Sequence, residues 1–425
     1  MQPRGRSDED PVAALERELR RNVTRYQEYN ASTCAEFVDE TPSALEFHRF
    51  VASNRPVVLR RQGYRDQVPA LDKWTDEYLV DKMEQRLVDI SVDPTGNADS
   101  IVQGYFVEPA TVPMTMEQLF SQLRHEDEAR TGGDKEEDEA AQRPVFYLQS
   151  QNGNLSSTGE YASLLNDVGS EGPSWAREAF GQSPDVANIW IGGDRSKTSV
   201  HKDPYENIYL VVRGAKDFLL WPPSEAYCMH EQKYPHASWS YDPAATAATT
   251  TTRDDKDGFK LVPTEPRVSI PWIPIDPLVD STSRHPRYAL ARAMHVRLEQ
   301  GDMLYLPACW YHHVSQSGGY FHQNVEDKKT RGAENEGRRA GTGTKATIAV
   351  NWWFDMKFDG HFYSSLELNR RLVKALDRAQ SRRRQREMRD GTSDRLEPSR
   401  MFLREEEAGH RDEDETSLDS DDLTR

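Results

Sequence analysis

The chain has 425 residues, enough for one large domain or two ordinary ones, and its 36% hydrophobic and 29% charged residues are the balance of a soluble protein. It holds no apolar run long enough to span a membrane, and its start, MQPRGRSDEDPVAALERELRR, lacks the apolar centre and cleavage site of a secretory signal. Cys34, Cys228 and Cys309 lie far apart without CxxC spacing, which argues against a disulfide framework or a zinc-thiolate site and fits cytoplasm, with the nucleus as a second address. The net charge of −17 is concentrated: His125–Glu139 carries −6 and Arg404–Arg425 carries −7, leaving −4 for the rest. Such acidic runs are usually solvated and disordered, so the folded part is nearly balanced and nucleic acid is not an expected partner.

In chain order, Asp10–Asn30 reads as a helix, with Val12, Leu15, Leu19 and Val23 at helical spacing. Thr41-Pro42-Ser43 caps a second helix over Ala44–Ala52. Pro56–Arg60, Leu87–Val92 and Tyr105–Val107 read as strands, Met116–Arg124 as a helix, and Val145–Gln149 as a strand beyond the charged insert. From about Asp185 short β-rich runs dominate: Val186–Ile191, Thr198–Asp203, Ile208–Val212, Asp217–Leu220, Ala293–Leu298, Met303–Leu306 and Thr347–Phe354. The expected fold is therefore mainly β with flanking helices (α+β), built on a double-sheet jelly roll. Leu366–Arg389 reads as a final helix whose basic stretch, Ser381–Arg386, is most simply a solvated face, with nuclear import or nucleic-acid binding as alternatives. The expected organisation is an N-terminal helical segment over 1–40 and an α/β support region over 41–184 with an acidic insert at 125–143. A β core over 185–365 follows, with inserts at 236–258 and 318–345, then a helix over 366–390 and an acidic tail over 391–425.

Non-haem iron oxygenases bind Fe(II) through two histidines and one carboxylate on one face. A His-x-Asp on a strand suits this, because residues i and i+2 share a face. The pattern occurs at His125, His201 and His410, but only His201-Lys202-Asp203 ends a strand rather than lying in a charge run. A third ligand would come from Trp310-Tyr311-His312-His313, delivered by the turn and strand Gly301–Pro307. Adjacent histidines on an extended segment face opposite ways, and the spacing alone does not choose between them. Taken singly, each histidine is more often a hydrogen-bonded structural ring.

The segment NIWIGGDRSKTSVHKDPYENIYLVVRGAKDFLLWPP (Asn188–Pro223), together with GDMLYLPACWYHHV and AVNWWFDM, resembles the JmjC catalytic domain, a cupin-like double-stranded β-helix. The similarity extends through SALEFHRFVASNRPVVL, Phe146–Gln149 and VSIPWIPIDP, and so covers most of Ser43–Phe362. It is nearest to the JmjC lysyl hydroxylases acting on developmentally regulated GTP-binding proteins, whose wider relatives include the asparaginyl hydroxylase of hypoxia signalling. The resemblance implies Fe(II) held by His201, Asp203 and His312, with His313 outside the coordination. It implies 2-oxoglutarate bound by Lys216, Thr198 and Tyr147, with Asn207 and Asn351 on the iron-proximal side. The reaction implied is oxidative decarboxylation of 2-oxoglutarate by O2, giving succinate and CO2 and an oxidant able to attack an unactivated C–H bond. Neutral histidines are needed, so activity is expected to fall at acid pH. The implied partner is a protein substrate, probed first as a GTP-binding protein, with a homodimer through the C-terminal helix by family analogy. Two other functions stand beside lysyl hydroxylation: N-methyl-lysine demethylation, as on histone tails, and a silent cupin serving as an interaction module. No nucleophile elbow or His-Glu-x-x-His motif points to proteolysis. The polar stretch Gly318–Thr344, the Trp352-Trp353 pair in place of Phe-Trp and the tail depart from the usual family pattern.

Overall fold

Apolar runs such as Ile208–Val212 are stable in a sheet only where both of its faces are covered. The computed structural model describes residues 10–60, 68–130, 143–149, 153–169, 171–244, 258–279, 281–318 and 343–393. These divide into a helical unit, 1–26 with 358–425, and a β-rich unit, 27–357. From the N-terminus the elements are α1 (Pro11–Tyr29), β1 (Ala35–Val38), α2 (Ala44–Ala52), β2 (Val57–Arg60), α3 (Ala70–Lys73) and α4 (Asp76–Met83). Next come β3 (Val88–Asp93), β4 (Asn97–Ala98), β5 (Ser100–Val102), β6 (Tyr105–Glu108), β7 (Ala110–Met114), α5 (Met116–Arg130), β8 (Val145–Leu148) and α6 (Ser174–Phe180). The core strands are β9 (Val186–Gly192), β10 (Lys197–His201), β11 (Tyr205–Arg213), β12 (Ala215–Trp221), β13 (Gln232–Tyr241), β14 (Phe259–Pro263) and β15 (Ser269–Trp272). Then β16 (Met294–Glu299), β17 (Met303–Leu306), β18 (Tyr311–Ser317) and β19 (Thr347–Asp355) lead to α7 (His361–Ser393).

The large sheet runs β1-β2-β17-β11-β19-β9-β8-β3-β7, and the facing sheet runs β16-β12-β18-β10-β4. Period-two alternation sorts the large sheet's side chains. Ile208, Leu210, Ile189, Ile348 and Val350 join a core with α2 to α6. Tyr209, Val211, Trp190 and Ala349 face the other way and join Phe218, Leu220 and Val296 of the facing sheet, forming the barrel interior. A third sheet, β14-β13-β6-β5 with β15 on β13, was not foreseen beyond β6. Part of the anticipated insert at 236–258 is thus strand, and 245–257 lie outside the described residues.

A buried ion pair closes the turn between β11 and β12. Arg213 donates to Asp76 on α4 (2.8 Å), to the Thr344 hydroxyl (2.7 Å) and to the Ala346 carbonyl (2.9 Å). Thr344 was expected inside a polar insert but is buried, and residues 319–342 lie outside the described residues. Arg213→Lys keeps the charge but not the fork, and will cost about 2 kcal/mol in chemical denaturation.

The acidic run from His125 also differs from its expected loop. Helix α5 continues into it as far as Arg130, and 131–142 lie outside the described residues; Glu126 is buried, and Asp127 accepts the Lys345 backbone N–H at 2.8 Å. Burial raises the Glu126 carboxyl to about 7, so this acid is not a solvated surface charge. In the helical unit α1 and α7 run antiparallel, joined by Asn22–Asn369, Glu16–Gln380 and Asp10–Arg383 contacts. The basic stretch from Arg382 to Arg386 is exposed on α7. The tail beyond Ser393 lies outside the described residues.

Candidate metal and cosubstrate site

Strands β10 and β18 place two imidazoles side by side, since His201 and His312 are cross-strand partners with ring centroids 4.0 Å apart. Each ring's Nδ1 lies against a carbonyl two residues back, Ser199 O at 2.8 Å and Trp310 O at 3.0 Å. A ring that donates from Nδ1 leaves the Nε2 lone pair for a metal, the tautomer a histidine ligand needs. Both Nε2 atoms converge on Asp203 Oδ2, at 3.6 Å from His201 and 3.5 Å from His312. The three ligand atoms lie within 4.8 Å of one another, and among the described residues no other group of three is so placed. Burial pushes His312 down to about 4, helped by neighbouring His201 and opposed by Asp203, so the ring is neutral at pH 7.

Two details differ from a plain strand reading. Asp203 does not lie on β10, which ends at His201. It sits in the connection to β11, where its carbonyl accepts the Cys309 N–H at 2.8 Å and ties that connection to the one before β18. The second detail is a bulge in β10. Thr198 pairs with Val314 while His201 pairs with His312, so three steps on β10 match two on β18. Strict alternation would put Thr198 and His201 on opposite faces; the extra residue brings both inward. Ser199 turns outward and takes the Trp272 indole N–H at 3.0 Å. His313 also turns outward, pairing with Leu219, and burial lowers it to about 4 despite Asp276 nearby. His125 and Asp127 stand on α5, away from the triad, and His410 is outside the described residues.

At the deep end of the barrel Lys216 is only 2% exposed. Its ammonium meets the Tyr147 hydroxyl at 3.2 Å and no carboxylate among the described residues. Burial alone therefore lowers it to about 7, and burial likewise raises the Tyr147 phenol. Gln316 lies opposite Lys216 and donates to Gly193 O at 2.7 Å, while its Oε1 and the Ser196 hydroxyl are buried without partners among the described residues. A buried cation beside unsatisfied polar atoms is unfavourable unless an anion joins them. The far carboxylate of a dicarboxylic cosubstrate fits that need. On the large sheet, Asn351 accepts from Trp190 (3.0 Å) and Asn188 (3.3 Å) and donates to Asn207 (3.2 Å), which fixes both amides.

Of the eight residues singled out in the sequence, the structure clusters His201, Asp203 and His312, joins Lys216 to Tyr147 and Asn351 to Asn207, and places Thr198 opposite Val314 on the strand that carries His201. Gln316 was missed although His312-x-Val314-x-Gln316 carries the alternation that would have shown it; Ser196, Asn188 and Trp190 gave no comparable signal. Gly192 bounds the cosubstrate end closely. A Cβ there would meet Tyr147 Cδ2 at 2.5 Å and Gln316 Nε2 at 2.6 Å. Gly192→Ala will raise the KM for 2-oxoglutarate roughly tenfold in initial-rate assays, because the displaced Tyr147 ring and Gln316 amide enter the space beside Lys216.

A profile of the cupin-like domain matches residues 42–360. The Homo sapiens protein named bifunctional peptidase and (3S)-lysyl hydroxylase JMJD7 is 34% identical over 369 residues, 86% of this chain and 98% of its own. JmjC domain-containing protein E of Dictyostelium discoideum is 30% identical, covering 79% of this chain and 91% of its own. Lysine-specific demethylase JMJ32 of Arabidopsis thaliana is 32% identical, covering 78% and 85% respectively. With the fold and the clustered His-Asp-His side chains, these likenesses show that the chain belongs to the cupin-like JmjC family of Fe(II)- and 2-oxoglutarate-dependent oxygenases.

Proposed function

We propose that this protein is a lysyl hydroxylase acting on a protein substrate, a GTP-binding protein being the first to test. The observation that carries the reading is Lys216, a buried cation whose only polar partner in the described residues is a neutral phenol. A binding module has no use for such a charge, whereas a 2-oxoglutarate enzyme needs it. In this reading His201, Asp203 and His312 hold Fe(II); Lys216, Tyr147 and Thr198 hold the far carboxylate; Asn207 and Asn351 line the metal-proximal side. Bound together, iron and cosubstrate supply the oxidising chemistry, converting 2-oxoglutarate and O2 to succinate and CO2 while one oxygen enters a C–H bond. The chain's own work is placement. The carbonyls of Ser199 and Trp310 orient the imidazoles, Lys216 and Tyr147 bind the cosubstrate, and the apolar interior around Phe218 and Leu220 excludes water.

The 34% identity to a protein named a (3S)-lysyl hydroxylase supports the substrate class, and that name also carries a peptidase. The 32% identity to a protein named a lysine-specific demethylase supports demethylation as the second reading. One assay separates them: anaerobically purified protein is given Fe(II), 2-oxoglutarate, O2 and lysine peptides from candidate GTP-binding proteins. Succinate release with a gain of one oxygen on lysine supports hydroxylation. Formaldehyde with a lost methyl transfers the protein to the demethylases, and shortened peptides reveal peptidase action. Absence of 2-oxoglutarate binding by iron-loaded protein defeats the oxygenase reading and returns the silent cupin. The proposal extends to a homodimer through α7, where Leu368 and Leu372 form an exposed apolar stripe, and to cytoplasm or nucleus, in keeping with three free cysteines.

A further inference from the structure

The inner rows of β11 and β19 run in step from the barrel interior to its open end. Tyr209 and Ala349 belong to the apolar interior, Asn207 and Asn351 bond each other, and Tyr205 then stacks on Trp353 at 4.9 Å with planes 6° apart. The β19 row ends in Asp355, the exposed cross-strand partner of Tyr205. Asp185, also exposed, donates its backbone N–H to Trp353 O at 2.7 Å. Tyr205 opens β11 two residues beyond Asp203, which sets this end of the two rows next to the triad in the chain. Trp353 is only 5% exposed, yet its indole N–H is buried without a partner among the described residues. A donor left so is unfavourable until something accepts from it.

We propose that this aromatic and acidic layer is the subsite for the substrate's lysine: Tyr205 and Trp353 line its methylenes, Asp185 and Asp355 take its ammonium, and the Trp353 N–H serves a peptide carbonyl. The inference rests on the oxygenase reading above. Aromatic faces backed by carboxylates select a long aliphatic cation over a neutral or acidic side chain. They also bear on which atom reacts. With C3 at the metal, an extended side chain carries its ammonium about 5 Å further on, four bonds away. With an N-methyl group at the metal, the ammonium would lie beside His201 and His312, and the carboxylates at the mouth would have no charge to meet. The layer therefore favours oxidation of carbon over demethylation.

The test uses the full chain with Mn(II) and 2-oxoglutarate and without O2. The probes are a twelve-residue lysine peptide from a developmentally regulated GTP-binding protein and the same peptide with norleucine. Wild-type protein will bind the norleucine peptide about tenfold more weakly, the sum of two exposed charge contacts. In Asp185→Asn/Asp355→Asn that gap will fall below about twofold, while Trp353→Phe will weaken both peptides alike. Equal affinities in the wild type, a gap unchanged in the double variant, or no lysine-peptide binding by protein that binds 2-oxoglutarate would each overturn the subsite. The wild-type comparison needs no variant and so survives any folding defect. Loss of 2-oxoglutarate binding itself, read by calorimetry on the same sample, would instead defeat the oxygenase reading.

Discussion

Lys216→Met will weaken 2-oxoglutarate binding by at least about a hundredfold and will also make the ligand-free protein more stable. Both effects come from one fact: the ammonium is buried with a phenol for its partner and is held down to about 7 by desolvation. Between that value and the ordinary lysine value the unfolded chain binds more protons than the folded one, so stability rises with pH across this window. Below about 7 the desolvation cost is fully present. Methionine removes it, and the gain in Tm, several degrees at neutral pH, will shrink as pH approaches 10.5. Cosubstrate binding has the opposite dependence. The carboxylate needs the ammonium, so affinity will be level below about pH 7 and fall about tenfold per pH unit above it. Calorimetry at pH 8 in buffers of different ionisation enthalpy will show proton uptake on binding. Wild-type-like affinity in the methionine variant would remove Lys216 from the site.

His201→Ala and Asp203→Ala will each reduce succinate formation by more than about a hundredfold at saturating 2-oxoglutarate. Loss of a group that merely orients a metal ligand typically costs ten- to a hundredfold, and in the proposed function these residues are the ligands themselves. The two variants will fail differently under excess metal. His201→Ala leaves His312 and Asp203 at 3.5 Å as a two-ligand site that high Fe(II) partly refills. Asp203→Ala leaves two imidazoles without the carboxylate that offsets the ion's charge. Metal titration followed by anaerobic spectroscopy checks both, and undiminished turnover in either variant would show that the metal is held elsewhere. His313→Ala, whose ring faces outward beside Leu219, will retain metal binding.

The core strands were legible in the sequence because they are buried on both faces and therefore read as short apolar runs. Strands β9, β11, β12, β17 and β19 all fall where such runs were found, whereas β16 alternates buried and exposed residues and was legible by that alternation. Strand β13 escaped because Gln232–Tyr241 carries Gln232, Lys233, Pro235 and His236, and only Ala237 in it is buried. Strand β1 escaped for the same reason, being short, exposed and paired on one side only. The acidic run failed in the other direction, since charge alone could not reveal that α5 continues and buries Glu126. At the site, the His-x-Asp pattern located two ligands, and resemblance rather than spacing chose His312 over His313. What no pattern carried was the means of placement. Asp203 is set by a backbone bond from a residue over a hundred positions away, and Thr198 is set by a bulge that leaves no mark in Lys-Thr-Ser-Val-His.

That bulge makes the length of one strand as consequential as its composition. Substitutions at Ser199 or Val200 alter a side chain and leave the count of residues intact. Removing either one would erase the extra step, so that Thr198 could face inward only with His201 turned away, or the reverse. The inward positions of Thr198 and His201 are in this sense phased against each other by a single residue, and deleting Ser199 or Val200 would uncouple them where alanine at either of those two positions would not.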